Sequence, residues 1–277
     1  MMAMLCLATT AFSLLARYWW LADLIANLRI PLIIGLIFLV SGLLAARQNR
    51  LAACVTLALI WHCSWITPYL FAPQKPIGVR PLKICTVNVL TQNSQHAKVL
   101  AILKMADPDV IAVLELGTSL ESQLNTQLSD LYPHRIAQPR DDGNFGIGLW
   151  SKLPLQEEQI FHLTVPLVSS TSAKVSWEGG ASGSTIVVGD LNLAPWYGKF
   201  LADAGLEDCI RGDQMAALSP TWYRWTMFPF GLVLDHGFCG GGLESVGRCG
   251  LRPSPGLAGV QSPPGILTSG SRESAEK

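Results

Sequence analysis

Residues 1 to 72 are overwhelmingly apolar, and the remainder alternates short apolar runs with polar, turn-rich segments. Three apolar stretches fill the first part. They are residues 3 to 16, closed by Arg17; Ile30–Ala46, which is uncharged; and Leu51–Ala72, also uncharged, with Trp61, Trp65 and Tyr69 towards its end. A bilayer core takes roughly 20 apolar residues in helix, with a range of about 17 to 25. The second and third stretches meet that length. Tyr18, Trp19 and Trp20 extend the first through an interfacial aromatic belt. No basic residue precedes the first run and no small-x-small cleavage site follows it, so it reads as an uncleaved membrane helix rather than a signal peptide.

Residues 73 to 82 hold prolines mixed with basic residues and read as a linker. Beyond it the spacing changes. Leu82–Leu90 is β-rich and contains a polar Asn88. A helix is expected over roughly 95 to 106, capped by Asn93 or Ser94, with Val99, Leu100 and Leu103 on one face and Pro108 stopping it. Val110–Leu116 is a continuous apolar strand that carries Glu115. Further expectations are a helix over roughly 119 to 130, strands at Phe145–Trp150 and Thr185–Gly189, a helix over Trp196–Ala204, and a strand Phe230–Asp235 ending in Asp-His. Strands apolar on both faces that alternate with helices predict a mixed α/β (α+β) layered domain over residues 83 to 239.

Composition changes this picture in three places. Charged residues make up 14% of the chain and apolar ones 49%, a skew confined to the N-terminal third. The net charge is zero, which removes the basic footprint of a general nucleic-acid binder. The seven cysteines form no CxxC pair, which argues against a disulfide framework and a thiolate metal site. Orientation follows from Arg47 and Arg50, which put the turn between the second and third apolar helices in the cytoplasm. The domain then faces outward, although Arg17, Arg29, Lys75, Arg80 and Lys83 pull the other way. A channel or transporter is disfavoured, since His62 is the one ionisable residue within the second and third stretches.

Polar residues gather at strand ends: Asn88, Glu115, Asp190, Asn192, Asp235 and His236. Side chains collected at one edge of a sheet are the usual way such folds build a site. Each alone reads as a turn or a solvated carboxylate. Glu115 is the exception, because a carboxylate inside an apolar strand is costly to bury without a partner. Asp190 and Asn192 lie two apart and share a face of an extended strand.

Taken together, CTVNVL (85–90), DPDVIAVLEL (107–116), IVVGDLNLAPW (186–196), PTW (220–222) and LVLDH (232–236) resemble the endonuclease/exonuclease/phosphatase family. With three apolar helices in front, the chain is similar to a membrane-anchored bacterial branch of it. The resemblance implies a four-layer sandwich of two β-sheets flanked by helices, here incomplete, that hydrolyses phosphoesters with Mg²⁺ or Mn²⁺. It assigns Glu115 as metal ligand and Asn88 as second ligand or metal-site supporter. Asp190 would orient or activate the water, Asn192 would hold the scissile phosphate, and Asp235 would pair with a catalytic histidine. The implied substrates are nucleic acid, phospholipid or a small phosphodiester. The implied location is the bacterial inner membrane with the domain on the periplasmic side.

Two segments depart from the family pattern. No histidine-bearing strand precedes the GDLN strand, and His162 is a poor stand-in. The terminal Ser-Asp-His is also absent. Residues 240 to 277 hold nine glycines and four prolines but no histidine or aspartate, which predicts a disordered tail with the composition of a frame-shifted or truncated end. His236 does not easily pair with Asp235, since neighbours on a strand point to opposite faces. Two readings follow: a membrane-anchored metal-dependent phosphoester hydrolase, or a degenerate, weakly active or inactive relative that acts as a membrane-tethered binding protein.

Overall fold

The domain is organised around β1 (Leu82–Asn88), whose alternating residues are buried on two different faces. Cys85 and Val87 turn to one side and Leu82 and Ile84 to the other. A strand covered on both sides reads as a continuous apolar run, which is what the sequence shows there. The computed structural model describes residues 1–16, 18–71, 81–162, 168–177, 184–190, 205–208, 222–223, 231–232, 235–241, 243–250 and 265–271.

From β1 the chain enters α5 (His96–Ala106) and returns as β2 (Val110–Leu114), parallel to β1 with Ile84 opposite Val110 and Asn88 opposite Leu114. The expected caps at Asn93 and Ser94 are not used. Gln95 occupies the cap position without a side-chain bond, while Asn93 Oδ1 accepts the Gln95 N–H at 2.9 Å. The helix stops where Asp107 takes a left-handed conformation, φ 44°, just before Pro108. Then follow α6 (Thr118–Leu128), β3 (His134–Gln138) and β4 (Ile147–Ser151), the last antiparallel to both β2 and β3.

Helices α5 and α6 cover one face of this sheet. Val99, Leu100, Leu103, Leu120, Leu124 and Leu128 pack there with Ile111, Val113, Tyr132 and Trp150. Burying each large apolar side chain stabilises by about 1.5–3 kcal/mol relative to exposure. The two buried polar tips are satisfied: Tyr132 Oη donates to the Pro108 carbonyl at 2.8 Å, and Trp150 Nε1 to Asn125 Oδ1 at 3.1 Å.

The opposite face meets a second sheet of β7 (Thr185–Asp190), β8 (Leu206–Asp208) and β11 (Asp235–Gly240), in the order β7-β11-β8. Leu82, Ile84 and Val110 pack there against Ile186, Val188 and Cys239. Strands β5 (Leu155–His162) and β6 (Ser169–Val175) form a separate hairpin, and β9 (Trp222–Tyr223) pairs with β10 (Gly231–Leu232). The described residues thus give a mixed α/β fold with a helix layer on a pair of packed sheets. The helix expected over 196–204 lies outside them.

Three sequence expectations change. The strand expected to end at Asp235 begins there, because Asp235–Gly240 pairs with the whole of β7. The segment between β4 and β7 holds β5 and β6, where the sequence suggested a missing strand. In place of a wholly unstructured 240–277, β12 (Leu243–Gly250) and β13 (Gly265–Ser271) join the first sheet, whose order is β12-β13-β1-β2-β4-β3. The physical reason is that β1 offers a free edge: Leu82 pairs with Ser269 and Thr86 with Gly265, so ladder bonds outweigh the weak strand preference of glycine.

Ahead of the domain run α1 (Met2–Ser13), α2 (Trp20–Asn27), α3 (Arg29–Ala45) and α4 (Asn49–Leu70). The short α2 was not expected from the sequence. Over Asn49–Pro68, α4 is long and apolar enough to cross a membrane, with mean hydropathy 1.5, and it is the one such helix among the described residues. With 12 and 17 residues, α1 and α3 are shorter apolar helices.

Candidate active site

Asn88 closes β1 on the face that Leu82 and Ile84 turn to the second sheet, and it is buried. Its Nδ2 donates to Glu115 Oε1 at 2.7 Å and to Asp190 Oδ2 at 3.3 Å. Its Oδ1 accepts the Leu90 N–H at 3.3 Å. One amide therefore ties together two carboxylates from two different sheets.

Glu115 sits immediately after the last residue of β2, with φ 56°. A side chain other than glycine held in the left-handed region costs about 1–3 kcal/mol and persists only when its surroundings fix it. Here they do. Thr91 Oγ1 donates to the Glu115 carbonyl at 3.1 Å, the Leu116 N–H to the Gly146 carbonyl at 2.9 Å, and the Arg140 N–H to the Leu116 carbonyl at 2.9 Å. Gly146 is required by this contact, since a Cβ there would lie 1.9 Å from the Leu116 oxygen.

Burial raises the Glu115 carboxyl above its ordinary 4.5; the Asn88 hydrogen bond opposes that, and the Asp190 charge adds to it. Its Oε2 is buried and has no hydrogen-bond partner among the described residues. An oxygen without a donor among the described residues, on a carboxylate joined through Asn88 to a second one, suits a hard divalent cation. Mg²⁺ commonly takes only one or two carboxylates together with water and phosphate. Among the described residues, no group of three or more His, Cys, Asp or Glu side chains gathers to hold a metal. With its NH₂ turned to both carboxylates, Asn88 fits the supporting role better than the ligand role. Ligation by its oxygen would need the amide reversed.

Of the other expected residues, Asp235 is placed by its backbone: it lies directly opposite Asp190 in the β7–β11 ladder. Asn192 lies outside the described residues. His236 stands opposite Gly189. His162 is exposed at the end of β5, its Nδ1 3.2 Å from the Val168 carbonyl across the hairpin turn. The structure thus brings together Asn88, Glu115 and Asp190, sets Asp235 beside Asp190 in register, and leaves His162 in the hairpin. Sequence reasoning missed Thr91 and Gly146. The glycine had a signal, the alternation of Gly with apolar residues around it; the threonine had none.

The sequence matches a family described as "Endonuclease/Exonuclease/phosphatase family" over residues 85–269. No curated protein matches. Among solved structures, TDP2 of D. rerio in a complex with single strand DNA product superposes with TM-score 0.55 at 15% identity, covering 70% of this chain and 100% of that one. A 3'-5' exonuclease of Neisseria meningitidis gives TM-score 0.53 at 17% identity, covering 67% and 98%. A family protein of Bacteroides thetaiotaomicron gives TM-score 0.53 at 15%, covering 70% and 100%. At these identities the likeness is one of fold.

Proposed function

The chain belongs to the endonuclease/exonuclease/phosphatase family, and on that premise we propose that it hydrolyses phosphoester bonds with Mg²⁺ or Mn²⁺ held at Glu115. The observation that carries this is the half-buried Glu115 carboxylate, whose Oε2 has no partner among the described residues and which is joined through Asn88 to Asp190. A bound cation would supply Lewis acidity at a phosphoryl oxygen. The chain's own groups do the rest. Asp190 accepts the proton of the attacking water. Asn88 fixes the spacing of the two carboxylates. Asn192, two residues after Asp190, donates its amide to the phosphate. Asp235, opposite Asp190 in the ladder, is the carboxylate that would pair with a catalytic histidine. Family neighbours are nucleases or phosphatases, and the TDP2 complex with single strand DNA product supports nucleic acid as the substrate class. A phospholipid or small phosphodiester is supported instead by the membrane reading.

That reading rests on α4 and on the exposed apolar side chains Phe38, Leu57, Ile60 and Trp61 of α3 and α4. In it the helices anchor the protein in a bacterial inner membrane with the domain on the periplasmic side. The test of activity is hydrolysis of bis-p-nitrophenyl phosphate with Mg²⁺ and with Mn²⁺. Asp190→Ala is expected to lower the rate by about 10²- to 10⁴-fold, the usual weight of a general base. Within the family match, residues 85–269, no histidine follows His236, and this supports the second reading, a tethered binding protein with weak or absent hydrolysis. Equal rates for wild type and Asp190→Ala would decide for it.

A further inference from the structure

We propose that Thr91 is a positioning residue that sets where the Glu115 carboxylate stands, and hence the affinity for the cation; this rests on Glu115 being the metal ligand. Three hydrogen bonds hold the two peptides that flank Glu115, and two are made by main chain alone, from Val89 N–H to the Leu114 carbonyl and from Leu116 N–H to the Gly146 carbonyl. The third comes from the Thr91 hydroxyl to the Glu115 carbonyl at 3.1 Å. It is the one of the three that a side-chain substitution removes without moving the chain.

The bond falls on the residue whose backbone needs it. Glu115 is left-handed at φ 56°, a conformation its Cβ disfavours, and the strained peptide relaxes unless both ends are held. A turn at this peptide swings the carboxylate away from Asn88, because side chains at left-handed residues leave the backbone in a different direction from those in a strand. The surroundings show that the Thr91 contact is built in. Val89 N–H donates to the Leu114 carbonyl at 3.1 Å, which continues the β1–β2 pairing beyond the last ladder residues. Gly117, two residues after Glu115, lets the β1 loop come close: a Cβ there would lie 3.3 Å from the Thr91 carbonyl and 3.7 Å from its Cγ2. The Thr91 methyl thus lies beside Gly117 and its hydroxyl is bonded, so a hydroxyl-free residue of the same shape fits the space and lacks only the bond.

The experiment measures Mn²⁺ binding to the full chain by the loss of free-ion EPR signal, with wild type, Thr91→Val, Thr91→Ser and Glu115→Gln side by side. Loss of a group that orients a metal ligand weakens metal binding by about 10- to 100-fold. Thr91→Val is expected to weaken Mn²⁺ binding within that range, and Thr91→Ser, which keeps the hydroxyl, to restore it to within a few-fold of wild type. Circular dichroism melts report folding separately. If Thr91→Val lowers the melting temperature yet binds Mn²⁺ like wild type while Glu115→Gln does not, the threonine is merely structural and the proposal is overturned. If Thr91→Ser binds as weakly as Thr91→Val, the hydroxyl is not the cause and it is overturned equally. If Glu115→Gln itself binds like wild type, the metal reading falls and takes this inference with it.

Discussion

Replacing Glu115 by glutamine separates what the site needs from what the fold prefers. In the metal-free protein the carboxylate is a liability: burial raises its pKa, the Asp190 charge opposes its ionisation, and Oε2 has no donor among the described residues. A buried polar atom without a partner costs about 1–3 kcal/mol. The low end applies here, because Oε1 accepts the Asn88 amide at 2.7 Å and the side chain is only part-buried. Glutamine keeps an acceptor for Asn88 and removes the charge, so Glu115→Gln is expected to stabilise the metal-free chain by about 1 kcal/mol. For a domain of about 150–250 residues that is about 2–4 °C in melting temperature. The sign with pH follows from the raised pKa. The folded state holds the proton more tightly than the unfolded chain, so the wild type loses stability as pH rises through the folded pKa. The two proteins differ least below pH 4.5, where Glu115 is protonated in both states, and the gap opens above it. Metal is expected to reverse the order. At a hundred times the Kd, a cation bound only to the folded chain adds about 2.7 kcal/mol, and the variant lacks its ligand. The assay is thermal melting in EDTA and in excess MnCl₂ across pH 4 to 8. The reasoning is refuted if Glu115→Gln melts below wild type in EDTA at neutral pH, or if it keeps the metal-induced rise.

Two further outcomes follow. Gly146→Ala places a Cβ 1.9 Å from the Leu116 oxygen and 2.7 Å from the Arg140 nitrogen, both main chain, so a loss of about 3 kcal/mol is expected in urea unfolding; an unchanged midpoint would show that the Glu115 turn is held otherwise. The full chain, expressed in bacteria, is expected to stay with the membrane pellet after alkaline carbonate washing, and complete release would remove the anchor from the proposal.

The half of the domain around β1 and β2 was legible because its signals are local. Two apolar runs ended in Asn88 and Glu115, with a 3.6-period helix between them, and those two strands became parallel neighbours. The β5–β6 hairpin was not legible: Gln156–Gln159 is polar and exposed on both faces, so no alternation marks it as a strand. The C-terminal strands were hidden for a different reason. Their glycines carry no strand preference, and pairing with the edge of β1 is a long-range event that composition does not report. The left-handed backbone of Glu115 was equally silent, since it is imposed by Thr91 and Gly146 from other segments. Of the candidate site, the cluster of Asn88, Glu115 and Asp190 was reached by pattern and resemblance together, whereas the threonine beside it required the fold.

The amide that joins both carboxylates reaches one partner 27 residues away and the other 102. Closing a flexible loop costs free energy only as the logarithm of its length, so the longer closure exceeds the shorter by (3/2)RT ln(102/27), about 1.2 kcal/mol. Loop length between β4 and β7 is therefore thermodynamically cheap to change, whereas the stretch of α6, β3 and β4 carries core residues and Gly146 and is not.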